Sequence, residues 1–111
     1  MVKYSMLDRT FSALSDPTRR EILERLASGP ATISELAHPL DISLPGLMKH
    51  VHVLEDAHLV ITEKQGRTRH CRLGAEELHD AARWIQTYRH RWEGRLDRLG
   101  AYVENQQGGQ R

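Results

Sequence analysis

Residues 32–73 constrain the fold more than any other stretch. Two short capped helices meet at a tight turn, and a hairpin pattern follows directly. Thr32 opens the first helix. Glu35, three residues on, completes a Thr-x-x-Glu capping box, in which the two side chains accept from N–H groups that a helix start leaves unpaired. Ile33, Leu36, Ala37 and Leu40 then fall on one face. His38-Pro39 limits the run, because an interior proline removes a backbone bond and disfavours helix at the residue before it. Asp41-Ile42 reads as the turn. Ser43 is an N-cap for a second helix, and Pro45 falls in its first turn, where a missing N–H costs little.

The second helix spans roughly residues 44–57. Leu47, Val51 and Leu54 recur at i, i+4, i+7 and face inward. At 100° per residue, Pro45, Met48, Lys49, His52 and Asp56 lie on the opposite side, with Leu44 at the edge of the first turn. A solvated amphipathic helix would carry the same pattern, so the helix alone decides nothing. The next segment does. Leu59 to Lys64 is rich in β-branched residues, Gln65-Gly66 signals a turn, and Arg67 to Leu73 returns as a second strand. Lys64, Arg67, Arg69 and Arg72 gather about its tip. Charge on an edge strand also deters aggregation. A helix-turn-helix followed at once by a basic hairpin points to nucleic acid instead. One helix meets base edges, and the cations meet phosphates or a minor groove. The expected fold is mainly α with a small β-hairpin, a winged helix-turn-helix. The expected duplex contacts are Ser43, Leu44, Pro45, Met48, Lys49, His52, Lys64, Arg67, Arg69 and Arg72. Met48 is positioned to meet a thymine methyl. Lys49 can donate to phosphate or guanine, and His52 likewise.

The flanks supply scaffold. Leu7, Phe11 and Leu14 at i, i+4, i+7 predict a first helix over about 5–14. Asp16-Pro17 caps the second, whose buried stripe is Ile22, Leu23 and Leu26, and Ser28-Gly29-Pro30 stops it. Arg19 and Arg20 read as surface charges, with Glu24 a partner in reach. After Leu73 a proline-free run predicts a helix over 75–104. Leu78, Ile85, Trp92 and Leu99 recur every seven residues, and Leu96 and Val103 widen the stripe. Thirty helical residues span about 45 Å, longer than so small a domain can cover. The stripe therefore calls for a second copy of the chain, through Ile85, Trp92, Leu96, Leu99 and Val103 with Leu7 and Phe11 from the first helix. Gly94 and Gly100 each weaken the helix by about 1 kcal/mol relative to alanine and mark a bend or a close crossing.

Composition sets bounds. A chain of 111 residues makes one domain, expected over 1–105, with 106–111 as a polar tail. Net charge is only +1, so any field at a duplex comes from local clustering. A single cysteine excludes an internal disulfide and suits a reducing cytoplasm. No apolar run reads as a signal peptide or membrane span. No phosphate loop or nucleophile–base–orienter set suggests an enzyme, and no cofactor is expected.

Ala13-Leu14-Ser15-Asp16-Pro17-Thr18-Arg19-Arg20-Glu21-Ile22-Leu23, with Ser43-Leu44-Pro45, Lys49-His50-Val51, Val53-Leu54-Glu55, Leu59-Val60 and Gly66-Arg67, resembles the ArsR family of bacterial winged-helix regulators. The likeness covers about residues 6 to 104. It implies a homodimeric, mostly repressive transcription factor, reading with residues 43–56 and with its wing at 61–72. Two positions depart from the usual pattern. Met48 stands where a small polar residue is common. His58 replaces the usual glycine after the helix, where a left-handed cap suits glycine better.

Many members of that family sense metals or metalloids. One site type needs Cys-x-Cys beside the first helix of the motif; here that stretch is Glu35-Leu36-Ala37-His38-Pro39-Leu40, without a thiol. The other sets an acid and a histidine on the last helix against a histidine and an acid further along. Glu77, His79, His90 and Glu93 reproduce its spacing, which defines an alternative reading as a metal-responsive repressor with the site closed across a dimer. Aligned from Leu73, however, the family's ligand positions fall on Ala75, Glu77, Tyr88 and Arg91. The match is two residues out of register, about 200° on a helix. The expectation is therefore no metal site, with control by an unknown small molecule or by the protein's own abundance. A winged helix that binds protein rather than DNA is the other alternative.

Overall fold

The computed structural model describes the backbone of residues 2–108 and the side chains of 6–104. Its elements run α1 (Val2–Leu14), α2 (Pro17–Leu26), β1 (Ala31–Thr32), α3 (Ile33–Leu40), α4 (Leu44–Asp56), β2 (Val60–Gln65), β3 (Thr68–Leu73) and α5 (Ala75–Gly108). The order of a winged helix-turn-helix is complete: three helices, a reading helix, and a hairpin.

The local signals act as their chemistry dictates. Asp16 caps α2 by accepting from the Arg19 N–H at 3.1 Å. Thr32 and Glu35 form the reciprocal box at the start of α3, both bonds at 3.1 Å. The Thr32 N–H holds the Glu35 carboxyl below its ordinary value. Ser43 caps α4 by accepting from the Gly46 N–H at 3.1 Å. Pro39 does not end α3 at once. The helix takes one more residue, and Asp41 closes it in a left-handed conformation at φ 52°.

The hairpin pairs Gln65 with Thr68 across a two-residue turn, where Gly66 at φ 65° supplies the left-handed residue such turns need. A third strand was not expected. Ala31–Thr32 pairs antiparallel to β3, with Ala31 opposite Cys71 and Thr32 opposite His70, giving sheet order β1-β3-β2. Two residues carry no periodicity, so only their partner reveals the strand.

The backbone divides into two compact units, 1–81 and 82–111, and α5 enters both. In the first, an aliphatic core joins Ile22, Leu23, Leu26, Leu36, Leu47, Val51, Leu54, Leu59, Val60 and Cys71, with Leu78 against its edge. α1 meets this core through small side chains. Thr10 and Ala13 are the buried residues, and Leu7, Phe11 and Leu14 are only half-buried. Small side chains occupy the inward row, and the larger apolar ones remain at its margin. The Thr10 hydroxyl is satisfied by the Met6 carbonyl at 3.0 Å.

In the second unit, α5 is a continuous helix through Gly94 and Gly100. A Cβ at either glycine would meet nothing within 4 Å. Ile85, Trp92, Leu96, Leu99 and Val103 are about half exposed. Gln106, Gln107 and Gly108, expected in the tail, are helical. The rest of that tail lies outside the described residues. Among the described residues no helix is long and apolar enough to cross a membrane.

Candidate nucleic-acid interface

α4 has a sharply divided surface. Leu47, Val51 and Leu54 are wholly buried, which fixes the helix on the core. Pro45, Lys49, His52 and Asp56 are exposed on the far side, as the periodicity predicts. Leu44 is half exposed at 50% in the first turn, and Met48 is half-buried on the same flank. The Ser43 hydroxyl, expected at the duplex, is engaged in its own cap.

Two side networks hold α4 in place, and sequence reasoning anticipated neither. On one flank, Arg19 donates from Nε to the Ala13 carbonyl at 2.8 Å and from a terminal nitrogen to the Ser12 carbonyl at 3.1 Å. Its other terminal nitrogen lies 3.4 Å from His50 Nδ1. Asp16 stands 3.9 Å from the same ring nitrogen. The Arg19 N–H lowers the Asp16 pKa. Arg20 caps Leu14 at 2.7 Å. Both arginines thus serve carbonyls at the end of α1; neither needs Glu24. On the other flank, the Thr62 hydroxyl donates to Glu55 Oε2 at 2.7 Å, and Arg69 donates to Thr62 Oγ1 at 2.9 Å. The hairpin is therefore bonded to the last turn of α4.

Register divides the basic hairpin. Val60 opposes Leu73, Thr62 opposes Cys71 and Lys64 opposes Arg69, so these share the face turned to the core and α4. Ile61 with Arg72 and Glu63 with His70 share the other face. Arg72 lies there, 3.6 Å from Glu63, and does not join Lys64 and Arg69. Arg67 is exposed in the turn itself. The four cations expected as one cluster are two on the α4 side, one at the tip and one behind.

The proposed metal ligands share α5 but lie in different units: Glu77 and His79 in the first, His90 and Glu93 in the second, where Glu93 pairs with Arg89 at 2.9 Å. Among the described residues no group of three or more His, Cys, Asp or Glu side chains could hold a metal ion. Cys71 is buried, and burial pushes its thiol up to about 11.

Glycine and histidine meet at the far end of the site. Gly74, between β3 and α5, has no room for a Cβ, because the His58 carbonyl occupies that space. His58 itself is left-handed at φ 58°. It takes the αL cap that its side chain makes costly, and its carbonyl is turned against Gly74. A glycine between strand and helix was the available signal.

Residues 14–63 match the family described as Helix-turn-helix domain. The chain is 45% identical over 69 residues to the HTH-type transcriptional regulator Rv2034 of Mycobacterium tuberculosis, across 62% of this chain and 64% of that one, just under two thirds of its length. It is 30% identical over 82 residues to the transcriptional repressor SdpR of Bacillus subtilis, across 74% of this chain and 91% of that one. A crystal structure of an ArsR family transcriptional regulator superposes with a TM-score of 0.75 at 47% identity, covering 80% of this chain and 92% of the other. The capped α3–α4 pair, the hairpin bonded to α4 and these likenesses agree: the chain belongs to the ArsR family of winged helix-turn-helix transcriptional regulators.

Proposed function

We propose that residues 1–105 act as one DNA-binding domain of a homodimeric repressor that sits on a pseudo-palindromic operator. α4 enters the major groove with Leu44, Pro45, Met48, Lys49 and His52 toward base edges. Arg67, with Lys64 and Arg69, meets phosphates or the flanking minor groove. The observation that carries this reading is the placement of Lys49 and His52 on the outer face of a core-anchored helix, beside a hairpin whose Lys64 and Arg69 share its side. The half-exposed row Ile85, Trp92, Leu96, Leu99 and Val103 supports pairing of two copies through α5, with Leu7 and Phe11 of α1. Half-sites then lie about one helical turn apart, roughly 34–36 Å. Repression is supported by the repressor named among its relatives. The signal is a small molecule or the protein's own abundance, not a metal.

Selection of bound sequences from random duplex DNA tests this directly and should enrich a palindrome. Lys49→Ala should then weaken the selected operator by about 1–3 kcal/mol. Arg67→Ala and Arg69→Ala should weaken every sequence similarly and flatten the salt dependence. A triple variant that binds its operator as well as the wild type would show that this is not the DNA face. It would favour a protein-binding winged helix.

A further inference from the structure

We infer that the first two turns of α4 read thymine through its 5-methyl group, with Leu44 making the contact and Met48 one turn behind it. This deepens the proposed function and rests on α4 being the helix that enters the major groove. The argument is one of elimination at the helix surface. The Ser43 hydroxyl precedes the helix as its cap and accepts from the Gly46 N–H at 3.1 Å. Pro45 has neither a backbone donor nor a polar side chain, and Gly46 has no side chain at all. Leu44, Leu47 and Met48 are apolar. Within α4 itself, from Leu44 to Met48, no side chain therefore offers a base a hydrogen-bond donor, and the weakly accepting Met48 sulfur is the one polar atom. In the major groove the base pairs differ in their donors and acceptors and in the methyl group of thymine. A side chain without polar atoms can respond only to the methyl.

Leu44 is placed to do so. It is 50% exposed, and at i, i+4 it forms a ridge with Met48. The surroundings say what covers this ridge. Lys49 and His52 lie beside it on α4, and Lys64 and Arg69 lie on the hairpin face turned toward α4. An apolar ridge on a helix that also exposes Lys49 suits a duplex, where thymine methyls line a groove walled by phosphates. A purely apolar protein partner would leave Lys49 without countercharge.

The test uses the operator selected with the wild-type protein. Each thymine is replaced in turn by uracil, which removes only the methyl, and binding is followed by fluorescence anisotropy. At one or two positions per half-site uracil should weaken wild-type binding about fourfold, the ratio for one buried carbon group. With both half-sites changed the loss should be about 15-fold. Leu44→Ala should bind the thymine and uracil operators alike. Because the uracil scan needs only the wild-type chain, a poorly folded variant leaves it decisive. Wild-type binding indifferent to every uracil overturns the thymine reading and leaves α4 as the reading helix. Leu44→Ala that keeps the full uracil penalty overturns it too, since another group then meets the methyl. Failure to enrich any operator overturns the proposed function as well.

Discussion

Replacing Gly74 with alanine should destabilise the domain by about 2–4 kcal/mol. The new Cβ would collide with the His58 carbonyl oxygen. That oxygen has little freedom. His58 is the left-handed residue that closes α4, with its N–H on the Glu55 carbonyl at 2.9 Å. The next N–H, of Leu59, reaches back to the Leu54 carbonyl at 2.9 Å, which completes a Schellman cap. Gly74 is tied from its own side, its N–H donating to the Leu59 carbonyl at 2.8 Å. Relief must break that bond or the cap. A lost bond costs about 1 kcal/mol, and a buried group left unpaired about 1–3. Overpacking adds about 1–3 kcal/mol, and alanine returns about 0.4–1 by stiffening the unfolded chain. The net loss lowers Tm by roughly 10–20 °C for a domain of this size. Urea unfolding followed by circular dichroism, at one fixed protein concentration, measures it. His58→Gly should act in the opposite sense. It removes left-handed strain of about 1–2 kcal/mol against a gain in unfolded-state freedom of about 0.4–1. A glycine at 58 also lets the carbonyl swing aside, so the double variant should lose less than the sum by about 0.5 kcal/mol or more. Gly74→Ala within about 0.5 kcal/mol of wild type, or a strictly additive double variant, would refute the reasoning.

Trp92→Ala should convert dimers to monomers in sedimentation and abolish operator binding, with a cost of about 3–5 kcal/mol if pairing buries the ring fully. Wild type that sediments as a monomer at micromolar concentration would count against this. Titrating Zn²⁺, Ni²⁺, Co²⁺ or arsenite into the operator complex should release no DNA; stoichiometric release from wild type but not from His79→Ala or His90→Ala would establish a metal sensor. Cys71, with its thiol pushed up to about 11, should resist alkylation at pH 8 until the chain unfolds. Its raised value makes its contribution present below its ordinary 9.0 and lost as pH rises toward 11, visible in urea midpoints across that window. Asp16 and Glu35 run the other way. Both lie below their ordinary 3.8 and 4.5, so their contributions are present above those values and fall away as acid protonates the caps.

The fold was readable wherever a few neighbouring residues determine an element. Asp16-Pro17, Thr32 with Glu35, and Ser43 with Pro45 place three helix starts, because each cap is satisfied within one turn. The outer face of α4 followed from angle alone. Strand β1 was not readable, since Ala31–Thr32 exists only through pairing with residues 70 and 71. Which row of α1 turns inward was not readable for a related reason. Leu7-Phe11-Leu14 and Thr10-Ala13 have almost the same helical spacing, and only the packed core selects the smaller pair. The division of the hairpin cations was latent in the sequence. Once Gln65 is opposite Thr68, alternation sends Arg72 to the face away from Lys64 and Arg69.

Arg19 marks where local reasoning stops. An exposed arginine early in a helix is ordinarily a surface charge, and nothing in its neighbourhood names residues 12, 13 and 50 as partners. In the fold it binds two carbonyls at the end of α1 and faces His50 of α4. A guanidinium can only donate, so when that contact forms His50 Nδ1 is the bare nitrogen and the ring proton sits on Nε2. One side chain thus bridges the helix proposed to help join two copies and the helix proposed to read DNA. If α1 lies at the dimer interface, Arg19 adds hydrogen bonds to the packing by which α1 sets the position of α4. Hydrogen bonds of fixed length set direction as well as distance. Two reading helices held this way would keep their spacing to the duplex, which a palindrome with fixed half-site separation requires.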